Sequence, residues 1–145
     1  MKMRRPGVLF LIAAAIAILA AIAHEVIGAP SVLTPLKKSD LPEGVVWLHH
    51  FSWHVGTVAT LTMAALFLLA VWHPLGRVFA LIATTMSVAF AILAVALATF
   101  GNPALWQSPA PYPWAVIALL GGVGVWIDAT TDSRLSSNKK RNAVC

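Results

Sequence analysis

Four histidines and one acid carry most of the chemical potential of this chain. His24 and Glu25 stand late in a first apolar segment, and His49, His50 and His54 stand early in a second. Ionisable side chains are costly inside lipid and usually mark a functional interior or a water-filled cavity. His50 and His54 are four residues apart and share a helix face, so a third imidazole from His24 would complete a tripodal metal site. The candidate ligands are therefore His24, His50 and His54, with His49 and Glu25 as further donors. Imidazole suits copper, zinc, iron and nickel. Glu25 or Asp40 could orient a ligand through its second ring nitrogen. Phe51 follows His50 where a zinc protease helix carries glutamate, so that chemistry is not indicated.

Other chemistries fit the same residues. A single b-type haem could be held by His24 and by His50 or His54. A haem pair crossing the bilayer is disfavoured, because His73 is the sole histidine near the other face. Quinone binding and a proton relay through Glu25 remain open. So does a purely structural role, with His49 and His50 bonding headgroups or loop carbonyls and His24 and His54 bridging helices.

The elements that must position these groups follow from hydropathy. Apolar stretches at about 7–29, 45–73, 76–100 and 113–130 approach or exceed the roughly 20 residues needed to span a hydrocarbon core. The expected fold is an all-α integral membrane four-helix bundle over 1–132, with a basic tail over 133–145. Residues 30–44 hold Pro30, Pro35, Pro42 and Gly44 and read as an external loop. Pro74, Leu75, Gly76 and Arg77 read as a tight turn, and Gly101 to Pro113 as a loop near the membrane surface. At about 1.5 Å per residue, His24 and His50 each lie roughly 7 Å inside their outer span ends.

Composition supports lipid as the solvent. Of 145 residues 59% are hydrophobic and only 10% charged, with a mean hydropathy of +0.83. A soluble domain would carry about a quarter charged residues. The net charge of +5 sits in short loops and tails, with no basic stripe interleaved with aromatics, so nucleic acid is not an expected partner. Lys2, Arg4, Arg5, Arg77, Arg134, Lys139, Lys140 and Arg141 fall on one side of the spans, against Lys37 and Lys38 on the other. The positive-inside rule then puts both termini in the cytoplasm and the histidines on the periplasmic or external side of a bacterial inner membrane. Tryptophans 47, 72, 106, 114 and 126 fall near span ends, as interfacial belts require.

Small residues predict the packed faces: Ala13, Ala17, Ala20 and His24 on span one, Ala80, Ser87, Ala91, Ala94 and Ala98 on span three, and Ala118, Gly121 and Gly122 on span four. These faces could also serve self-association or a partner membrane protein. His73 reads as a turn residue, and Asp128 as a partner for Arg77 or a headgroup-layer acid. Cys145 permits no intrachain disulfide and forms no prenylation box. Ala21–Ile22–Ala23 has the form of a signal-peptide cleavage site, which would leave His24 at a new N-terminus. No nucleophile–base pair, phosphate-cradling glycine loop or carboxylate pair points to an enzyme.

His24 and Gly28, then Pro35–Leu36, then Trp53–His54 with Thr57 one turn later, resemble the pattern of an uncharacterised group of small bacterial four-span membrane proteins. The resemblance covers the first two spans and implies that His24 and His54 belong to a shared pattern. Members of that group often carry a Gly-Glu pair after the first histidine, whereas here Ala29 follows Gly28 and the acid is Glu25. The resemblance supplies no activity. The sequence thus favours a non-catalytic or redox-accessory membrane protein binding a transition metal (copper, zinc or iron) or a haem. The next readings are a ligand-free subunit packed against a larger membrane complex, and then a small proton-coupled carrier.

Overall fold

The computed structural model describes residues 6–142. Four helical rods pack side by side as the hydropathy pattern requires. The first comprises α1 (Gly7–Ala23), a π-helical turn (His24–Gly28) and α2 (Ala29–Lys37), run together as one rod. The second is α3 (Glu43–Trp72). The third is α4 (Gly76–Ala96), prolonged by a second π-helical turn (Leu97–Gly101). A short 3-10 turn (Pro103–Gln107) leads to the fourth, α5 (Tyr112–Asn142). α1 lies between α3 and α5, and α4 closes the ring between the same two helices. An even number of rods returns the chain to the end where it began, here called the Arg77 end; the opposite end is the His24 end.

The burial pattern is that of a bundle solvated by lipid. Leu19, Ile22, Ile92, Leu119 and Trp126 are exposed, while the buried side of each rod is built largely of small residues. All four rods are long and apolar enough to cross a membrane, and the chain is a multi-pass membrane protein on that ground. Lipid tails are as apolar as leucine, so helix association rests on close van der Waals packing. Ala13, Ala14, Ala17 and Ala21 on α1, Ala80, Ala83 and Ser87 on α4, and Gly121 and Gly124 on α5 provide that closeness.

Two large side chains fill the space these small residues leave. Phe10 and Phe67 stack with centroids 6.1 Å apart and 24° between planes. A Cβ at Gly124 would run into the Phe10 ring, and a Cβ at Gly121 into Thr84 Oγ1 and Phe67. Gly121 and Gly124 are therefore receptacles for neighbouring side chains. Ser87 Oγ lies 2.8 Å from Ala83 O and 2.7 Å from Met63 Sδ, joining α4 to α3.

The first rod departs from the expected loop at 30–44. It stays helical to Lys37, so only residues 38–42 separate it from α3. Pro30 and Pro35 remove backbone donors, and the π-helical turn just before them absorbs the change in register. The Ser31 hydroxyl lies within bonding distance of the carbonyls of Ile27 (3.1 Å) and Gly28 (2.8 Å). Hydroxyls and local π adjustments are the usual means by which apolar helices tolerate proline. At the other end, the expected basic tail continues α5 to Asn142, while Lys2, Arg4, Arg5 and Cys145 lie outside the described residues.

Candidate functional site

The π-helical turn at His24–Gly28 meets the first half of α3, and the polar side chains of both rods gather there. Single π-helical turns inside α-helices occur often at functional sites. This one rotates the residues after Ala23 relative to an uninterrupted α-helix. The buried face of α1 runs through Ala14, Ala17 and Ala21, and Glu25 stands one turn beyond Ala21 on that side.

Glu25 is the hub of the cluster. Thr57 donates its hydroxyl proton to Glu25 Oε1, and His54 Nδ1 lies 3.2 Å from the same oxygen. The His54 bond is a donation whenever Nδ1 carries the proton. The Glu25 side chain is 32% exposed and that of His54 57% exposed. The pair therefore sits on the outer side of the two-rod seam. His24 is a further titratable neighbour of this carboxylate.

The remaining histidines are engaged elsewhere. His24 lies flat on Trp53, with centroids 3.9 Å apart and 8° between planes, and its Nε2 lies 3.3 Å from Trp53 O. Gly28 makes room for this stack, since a Cβ there would stand 2.8 Å from Trp53 Cζ2. His49 Nδ1 bonds Val45 O at 2.9 Å on its own helix. His50 tilts against Trp47 at 5.2 Å and against His54 at 6.5 Å between centroids. His50 Nε2 is buried and has no hydrogen-bond partner among the described residues. His73 Nδ1 accepts from the Leu75 amide at 3.1 Å, inside the turn to α4.

The structure thus brings His24, Glu25, His50 and His54 into one region. It does not converge three of them on a common point: among the described residues no three His, Cys, Asp or Glu side chains are grouped to hold a metal ion. The sequence pattern that resembles the small four-span group includes Trp53 and Thr57 but gives neither a role. Both are structural members of the site, Thr57 as donor to Glu25 and Trp53 as the platform for His24. Asp128 was expected in the headgroup layer or on Arg77; it is 5% exposed and belongs to the packed side of α5.

No known protein family, curated protein or solved structure matches the chain. The chain is therefore characterised as a class, a four-helix multi-pass membrane protein, and its function is argued from the site alone.

Proposed function

We propose that this membrane protein is proton-coupled, with the Glu25–His54–Thr57 cluster as its proton-exchanging site. The observation that carries the reading is the shared oxygen of Glu25, which receives both the Thr57 hydroxyl and His54 Nδ1. A carboxylate and an imidazole in hydrogen-bond contact exchange a proton between two groups whose ordinary ranges lie on either side of mildly acidic pH. Thr57 holds the carboxylate in place through each exchange. The positive-inside bias orients the cluster toward the periplasmic or external side of a bacterial inner membrane, where it meets protons from outside.

His24 Nε2 lies against Trp53 O, so metal or haem ligation by this residue would fall to its Nδ1. Among the described residues no three ligating side chains are grouped to join it. The proton reading uses the side chains where they stand. The shared pattern proposed for the small four-span group, His24 with Trp53–His54 and Thr57, would on this account preserve a stacked platform and a proton site together.

Difference infrared spectroscopy on full-length protein in liposomes, recorded across pH, tests the reading. A carboxyl band that disappears in Glu25→Gln and changes midpoint in His54→Gln is the expected result. A band insensitive to His54→Gln contradicts the shared-proton site. Near-stoichiometric copper, zinc or iron, or a Soret band, would replace it with the metal or haem reading. A stable membrane partner with no titrating carboxyl band would replace it with the accessory role.

A further inference from the structure

Four of the five histidines are bonded through a ring nitrogen: His24 to Trp53 O, His49 to Val45 O, His54 to Glu25 and His73 to the Leu75 amide. His50 is the exception. Its Nε2 is buried and has no hydrogen-bond partner among the described residues. Its Nδ1 is likewise unbonded but is not buried. The ring thus keeps one nitrogen open and the other closed in.

An imidazole set among aromatic rings is ordinarily a packing group. His50 does have ring neighbours on both sides, Trp47 at 5.2 Å and His54 at 6.5 Å between centroids. Phenylalanine would fill that space without the cost of a buried, unbonded ring nitrogen. Depth gives the nitrogen a use. With Trp72 at one interface and about 1.5 Å per residue, His54 stands about 27 Å and His50 about 33 Å from the Arg77 end. The two rings therefore fall on either side of the boundary of a hydrocarbon core about 30 Å thick. The exposed face of His54 looks onto lipid tails, which carry no protons, and His50 is the next ring outward on the same helix face. His54 spends Nδ1 on Glu25, which leaves Nε2 for a second partner. A gap too long for a direct bond between two rings is one that a single water spans.

We propose that His50 is the proton-delivery residue of the Glu25–His54–Thr57 cluster, taking a proton from the external phase and passing it to His54. The proposal rests on the reading of that cluster as a proton-exchanging site and adds the group that connects it to the outside. A proton from outside forms an N–H bond at His50 Nδ1, and the Nε2–H bond breaks toward His54, directly or through one water. His54 takes that proton at Nε2 and releases its Nδ1 proton to Glu25 Oε1. The reverse sequence returns the proton and restores the original tautomers, so neither ring is left charged. The charged and titratable groups facing His50 are Lys37 on α2 and His54 on α3. Lys37 Nζ lies over the Trp47 ring, 5.9 Å from its centroid, one turn further out than His50.

Full-length protein in liposomes, given a pH jump by photolysis of a caged proton, provides the test. The rise of the Glu25 carboxyl infrared band separates the rate of protonation from its extent. His50→Phe keeps the packing and should slow the rise by about tenfold or more, the scale on which loss of a proton-transfer group is felt. The final amplitude of the band should stay that of the parent, which shows that the cluster still forms. His50→Ala should be slow as well, and should recover speed with added imidazoles of matched size in the order of their basicity. An unchanged rise in His50→Phe overturns the proposal. So does recovery independent of basicity, or loss of the band in both variants, since each makes His50 a packing group. In any of these cases a parent band that still responds to His54→Gln leaves the proton site standing and removes only the delivery role. A parent band that does not respond to His54→Gln removes the site and the delivery role together.

Discussion

Gly124→Leu is expected to prevent the bundle from closing. The first atom of any side chain at this position would collide with the Phe10 ring. Phe10 is 1% exposed and stacks on the fully buried Phe67, so it has no vacant volume to move into. Either Phe10 leaves the core or α5 moves away from α1. The loss approaches that of deleting a buried aromatic side chain, about 3–5 kcal/mol. Unfolding in mixed micelles, followed by near-ultraviolet circular dichroism, measures it; a variant as stable as the parent would show that α5 does not pack on α1 through this glycine.

Phe67→Ala should be the next most damaging single change. Phe67 touches the space of both α1 and α5 through Phe10 and Gly121. Small neighbours such as Ala64, Ala70, Ala80 and Ala83 cannot reach in to fill a vacancy. Lipid already offers an apolar surrounding in the separated state, so the transfer part of the usual cost falls away and the packing part remains. About 3 kcal/mol is expected, the lower end of the range for phenylalanine deletion. Phe67→Leu should recover much of it, and equal losses for the two variants would contradict a packing origin.

The architecture was legible because lipid imposes it. Four apolar runs of spanning length, the turn at Pro74–Arg77 and the proline-rich stretch after Gly101 all appear where hydropathy puts them. Proline ordinarily ends a helix, so the proline-rich stretch after Gly28 reads as loop. Nothing in composition announces that a π-helical turn will absorb Pro30 and Pro35 and carry the rod to Lys37.

The site was legible in its members more than in its geometry. Spacing placed His24 on the small face of span one with Ala13, Ala17 and Ala20. Ala13 and Ala17 are buried as that spacing requires, but the packed face also takes in Ala14 and Ala21, while Ala20 is only half-buried. The extension through Ala21 leads to Glu25, which meets Thr57 and His54, and leaves His24 to lie on Trp53. Gly121 was anticipated as a close-approach residue, whereas Gly124 was not. A glycine's role as a receptacle depends on which aromatic side chain faces it, and that is a property of the packed bundle.

The most direct measurement of the central claim is the proximity of His54 to Glu25 in a bilayer. Solid-state NMR on protein labelled at histidine ring nitrogens and glutamate side-chain carbons would report it through dipolar transfer. The account predicts a strong Nδ1-to-carboxyl transfer assigned to His54 and Glu25, consistent with the 3.2 Å contact, abolished by His54→Gln and varying in strength with pH. No transfer at any pH, or transfer from His24 in place of His54, would contradict it.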